Sequence, residues 1–73
     1  MSGVRAMFGS LIKTERERRG WSQEHLAELV GVSRVQVSRI ESGDQVGSID
    51  TLTRIARELA LDLNALKVSA AEL

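Results

Sequence analysis

Three side chains between residues 34 and 39 are built to hydrogen-bond in pairs to another molecule: Arg34, Gln36 and Arg39, with Val35 among them. A guanidinium offers two parallel donors that match guanine O6 and N7. A carboxamide offers a donor and an acceptor that match adenine N6 and N7, and a valine methyl can meet a thymine methyl. Val37 and Ile40 are the apolar residues of the same stretch. In a helix that turns those two inward, residues 34, 35, 36 and 39 fall on the opposite or leading side. Two plainer readings stand beside this one. Arg34 and Arg39 could be a solvated face, and Gln36, three residues after Ser33, could serve only as the partner of Ser33 in a capping box.

Other chemistries have little to work with. The chain holds no Cys and one His, which removes disulfides, a thiolate nucleophile and a zinc site of the usual make-up. His25 has no second ligand near it in sequence, so a surface or capping role is the default, and Trp21 reads as a core anchor. A nucleophile–base pair, paired inward carboxylates and a phosphate loop are all missing. Neither an enzyme nor a metal or cofactor site is expected.

The elements that position these side chains follow from length and periodicity. Seventy-three residues, 42% of them apolar and 27% charged, suit one small globular domain, here residues 1–73. No apolar run approaches the ~20 residues of a membrane span and no secretory pattern opens the chain, so a cytoplasmic protein is expected. The net charge is zero but uneven, +3 over residues 1–40 and −3 over residues 41–73. That neutral total speaks against a non-specific polyanion binder while leaving room for a local basic face.

Five helices are expected and no strands. The first runs from about Met7 to Arg19 with Phe8, Leu11 and Ile12 on one face. Ser22 caps a second, whose inward residues are Leu26, Ala27 and Val30, and Ser33 caps a third that ends at Ser42-Gly43. Ser48 caps a fourth with a stripe of Ile49, Leu52, Ile55, Ala56 and Leu59. Asp62 caps a short fifth containing Leu63 and Leu66.

Residues 22–42 are the informative part. Two helices of about eight residues are joined by a turn too small for an ordinary helical hairpin, so they must cross steeply. Ala27 supplies the small residue where they approach, and Gly31 supplies the turn. That is the pattern of a helix-turn-helix, whose second helix stands out from the body to enter a DNA major groove.

From Leu11 to Leu66, about three-quarters of its length, the chain resembles the Cro and phage-repressor type of helix-turn-helix protein, the XRE-like family. The matching text is Arg-Gly-Trp-Ser-Gln-Glu-His-Leu-Ala at 19–27, Val-Gly-Val-Ser-Arg at 30–34 and Val-Ser-Arg-Ile-Glu-Ser-Gly at 37–43, continuing through Ile49-Asp50-Thr51-Leu52 and Ile55-Ala56. The loop at 44–47 departs from it in lacking a proline, and Leu29 departs in being apolar. The resemblance implies a compact, lambda-repressor-like, all-α domain in which the helix after Ser33 reads bases through Arg34, Val35, Gln36 and Arg39. It also implies that Gln23 anchors a DNA phosphate. Ser33, Ser38 and Ser42 are weaker phosphate candidates, and Arg18 or Arg19, at the end of the first helix, could reach another.

Arg16 and Glu41 form a separate pair. Arg16 follows Ile12 by four residues and Glu41 follows Val37 by four, so both charges sit on core-facing stripes and imply one another. The resemblance places an arginine–glutamate bridge at these positions, read here as a clamp that orients the third helix.

The function expected is sequence-specific binding of double-stranded operator DNA by a homodimeric regulator, a repressor in the first instance. A Cro-like repressor, a restriction–modification controller and an antitoxin with a cognate toxin all fit. Segment 62–73, with Leu63, Leu66, Val68 and Leu73, is the candidate dimer interface. The rival reading is a helical module that binds a partner protein without DNA. Acidic or bulky apolar residues on the outward side of the third helix would favour the rival, and Arg34, Gln36 and Arg39 oppose it.

Overall fold

The computed structural model describes residues 3–61 and contains α1 (Gly3–Arg18), α2 (Gln23–Val30), α3 (Arg34–Ser42) and α4 (Ile49–Leu59). No strand occurs among the described residues. The fifth helix expected after Asp62, and the interface expected at Leu63, Leu66, Val68 and Leu73, lie outside them.

Three helices start the same way. Ser22, Ser33 and Ser48 hold extended backbone, and their hydroxyl oxygens accept from the amides of His25, Gln36 and Thr51. A serine in front of a helix satisfies one of the donors that the first turn leaves open. Gly31 and Gly43 end α2 and α3 in the left-handed region, at φ 76° and 85°. There glycine meets no Cβ penalty.

The core is one cluster: Ile12 of α1, Leu26, Ala27 and Val30 of α2, Val37 and Ile40 of α3, Ile55 and Leu59 of α4. Phe8, Trp21, Val32 and Leu61 pack on its edges, so Trp21 is the anchor expected of it.

Two expectations need correction. The first helix begins at Gly3, four residues before Met7, because Val4 to Ala6 contain no helix breaker and lie in register with the helix that follows. The buried stripe of α4 is Thr51, Ile55 and Leu59, whereas Ile49 is 82% exposed and Leu52 half-buried. Thr51 can face inward because Ser48 Oγ lies 3.0 Å from its hydroxyl oxygen and also accepts from its amide, so its polar atoms are satisfied there.

Candidate nucleic-acid interface

The turn between α2 and α3 is three residues long, Gly31-Val32-Ser33. The Val32 amide donates back to Ala27 O at 3.0 Å, which folds the turn onto the end of α2. Ala27 is 3% exposed, the small residue that the approach of the two helices requires. With Val37 and Ile40 buried, α3 turns Arg34, Val35, Arg39 and Ser42 to solvent, with Gln36 and Ser38 half-buried on its two shoulders. Val35 is 47% exposed, a large apolar side chain left on the outer face. Neither Arg34 nor Arg39 enters a side-chain hydrogen bond or ion pair among the described residues. Both guanidinium forks are therefore available to an outside acceptor.

Gln36 resolves into two parts. Its backbone amide donates to Ser33 Oγ at 3.1 Å, which is half of a capping box. Among the described residues its side chain returns no bond to Ser33. The carboxamide instead lies beside Gly47, in the loop leading to α4.

Behind the outer face lies the clamp. Arg16 and Glu41 are each 8% exposed. Arg16 Nε donates to Glu41 Oε2 at 2.7 Å and its Nη2 donates to Oε1 at 3.1 Å, a two-pronged pairing of guanidinium and carboxylate. Arg16 Nη1 donates to Trp21 O at 2.6 Å. The pair thus ties α1 and the turn after it to the last turn of α3. Its hydrogen bond to Glu41 raises the Arg16 pKa above the usual arginine value against the opposing effect of burial, with the nearby carboxylate charges adding to the rise.

Gln23 joins this network. Its amide nitrogen donates to Glu41 Oε1 at 3.1 Å, so α1, α2 and α3 meet at one carboxylate. The link between Gln23 and Glu41, 18 residues apart, was missed by sequence reasoning, and periodicity carries no signal of it. No buried side-chain nitrogen or oxygen among the described residues lacks a partner.

The remaining phosphate candidates divide. Ser33 spends its oxygen on the α3 cap, and Ser42 donates to Arg39 O at 3.0 Å. Ser38 sits on the shoulder of α3 nearest Gln23, in a hollow described below. Arg19 is exposed, yet its guanidinium is tied to the protein's own acceptors. Its Nη1 donates to Glu15 O and Oε1, its Nη2 donates to Leu59 O at 2.6 Å, and its guanidinium lies 5.8 Å from the centre of the Trp21 ring. The Arg19 hydrogen bond lowers the Glu15 pKa below the usual carboxylate value, with Arg18 contributing and partial desolvation opposing. His25 is exposed and meets Trp21 edge-on, and no cluster of metal-ligating side chains forms among the described residues. No helix described is long and apolar enough to cross a membrane.

Comparison with known proteins agrees with this geometry. A family model described as helix-turn-helix matches residues 12–66. The chain is 42% identical over 62 residues to the ImmF control region 10 kDa protein of Bacillus phage phi105, an alignment that covers 85% of this chain and 69% of that protein. It is 40% identical over 52 residues to the uncharacterized HTH-type transcriptional regulator YgzD of Bacillus subtilis, covering 71% of this chain and 79% of that one. It is 34% identical over 59 residues to the HTH-type transcriptional regulator SutR of Escherichia coli, covering 81% of this chain and only 33% of that protein, so it spans about a third of that relative's length.

Proposed function

Because the chain belongs to the Cro and phage-repressor type of helix-turn-helix family, a family of DNA-binding transcriptional regulators, we propose that it binds a specific double-stranded operator as a homodimer and represses transcription from it. The observation that carries this reading is the outer face of α3. It presents Arg34, Val35 and Arg39 to solvent on a helix locked from behind by Arg16 and Glu41. Arg34 and Arg39 suit guanine, Val35 suits a thymine methyl and Gln36 suits adenine at the inner edge. No cofactor is needed. Similarity to a phage control-region protein favours a regulator of a phage-type control region, acting in the cytoplasm, over the roles of restriction–modification controller and antitoxin.

Binding-site selection with purified protein tests the assignment. Replacing Arg34, Gln36 or Arg39 with Ala is expected to cost about 1–3 kcal/mol each on the selected site and to relax preference at one base position. Replacing Gln23 is expected to weaken all sequences more evenly. Variants at Arg34 and Arg39 that keep the parent's consensus and affinity would place recognition elsewhere.

A homodimer follows from the size of the reader. One helix reads about four or five base pairs, too few to mark one site among the ~10⁶ or more competitors in a genome. Two copies on a palindrome would set their recognition helices about 34–36 Å apart. The aliphatic residues Leu63, Leu66, Val68 and Leu73 supply the interface in this proposal. Sedimentation of the full chain is expected to show a dimer at tens of micromolar, and a chain ending at Lys67 is expected to dimerise less. A full chain that stays monomeric and binds half-sites without cooperativity would overturn the dimer.

A further inference from the structure

Where α1, α2 and α3 meet, a polar hollow of about 190 Å3 is lined by Lys13, Gln23, Ser38, Glu41 and Ser42. We infer that this hollow seats one phosphodiester of the DNA backbone, with Lys13 as its charged ligand. The inference rests on the proposed DNA-binding role and adds to it a site and a residue on α1, outside the two helices of the helix-turn-helix.

The position is right for a backbone. Ser38 and Ser42 are one turn apart on the shoulder of α3, between the inward residues Val37 and Glu41 and the outward residues Val35 and Arg39. A duplex that takes the outer face of α3 into its major groove must carry one strand of phosphates along that shoulder.

The chemistry is right as well. A carboxylate in such a hollow would ordinarily repel an anion. Here the Glu41 side chain is only 3% exposed, and both its oxygens accept from the Arg16 guanidinium, which cancels its charge. Glu41 then has a second use. It takes one hydrogen of the Gln23 amide nitrogen and leaves the other for an acceptor in the hollow. Ser38 adds a hydroxyl. Ser42, whose hydroxyl is bonded to Arg39 O, shapes the wall. Lys13 is exposed and forms no ion pair among the described residues, so its ammonium brings net positive charge with three donors on a long stem.

The test separates this site from the base-reading face. Lys13→Gln removes the charge at an exposed position and leaves the core untouched. On the selected duplex, the slope of log affinity against log salt is expected to shrink by about 0.9 for each copy bound. The selected consensus is expected to stay unchanged. Arg57→Gln, an exposed basic position on α4, is the control and is expected to keep the parent slope. Ser38→Ala is expected to weaken binding without changing the slope. A Lys13→Gln protein with the parent's slope, on a duplex that Arg34→Ala no longer binds well, would overturn the phosphate seat while leaving the function standing. A parent protein that selects no duplex would instead overturn the function, and the seat with it.

Discussion

Glu41→Leu alone, or Arg16→Met alone, is expected to melt far below the parent protein, while the double substitution recovers part of the loss. Each single change leaves one charge buried without its partner, a loss that typically costs about 3–5 kcal/mol. A domain this small is not expected to hold much more than ~5 kcal/mol in total. The two losses differ in detail. Without Glu41, the guanidinium of Arg16 and the amide of Gln23 both lose their acceptor. Without Arg16, the Glu41 carboxylate is stranded and Trp21 O loses a donor 2.6 Å away. Double replacement by apolar residues removes both charges together, which is why part of the stability returns. At about 4–8 °C per kcal/mol for a domain of this size, the single variants are expected to melt well over 10 °C low. Two singles melting within ~2 °C of the parent would show the pair to be a surface feature in solution.

The sign of the Arg16 shift says where this stability is spent. A cation whose pKa is raised on folding contributes stability that is complete below its unfolded value and fades only as pH rises through the folded one. For an arginine that window lies far above neutral pH, so Arg16 stays charged wherever the protein works. Glu15 runs the other way. Its lowered pKa gives a contribution present above the unfolded carboxylate value and lost as pH falls through the folded one. The loosening this causes is confined to the end of α1, where Arg18 and Arg19 meet it.

Much of this was legible in the residues, and the reason is local chemistry. Ser22, Ser33 and Ser48 each stand directly before an apolar-periodic run, and a cap needs only its own first turn to act. Arg16 and Glu41 could be paired at a distance of 25 residues because two charges on inward stripes have few other ways to be satisfied. The outer face of α3 followed once Val37 and Ile40 were turned inward.

What sequence did not reveal depends on tertiary placement. Spacing alone marks a stripe on α4 but not which edge of it is buried, and the hydroxyl of Thr51 won that position from Ile49 through its contact with Ser48. The bond from Arg19 to the backbone oxygen of Leu59, 40 residues away, leaves no mark in the spacing. Gly9, inside a helix, carries no sign in the sequence of its tertiary role. It is where two helices touch.

Gly9→Ala is accordingly expected to destabilise the protein even though alanine is the better helix former. Gly9 lies in mid-helix and is buried. A Cβ placed on it would sit 2.5 Å from Glu41 O and 2.9 Å from the Glu41 carbonyl carbon, and would also clash with Ile40 O. All three are backbone atoms of α3, so no rotamer change can clear them. The seam continues one turn earlier, where a Cβ on Gly43 would come within 3.3 Å of Ala6 Cα. Helix propensity alone would favour alanine by about 0.5–1 kcal/mol. Overpacking of this kind typically costs about 1–3 kcal/mol, and more where backbone must move. The clash therefore wins, and Gly9→Val is expected to be worse still. The consequence reaches the outer face of α3, because Arg16 lies two turns further along α1 and its bond to Glu41 requires α1 and α3 to stay at this separation. Ser10→Ala, one exposed residue away, supplies the comparison and is expected to melt at or slightly above the parent. If Gly9→Ala melted as high as Ser10→Ala, the two helices would have room to spare in solution, and the close approach would play no part in holding α3 in place.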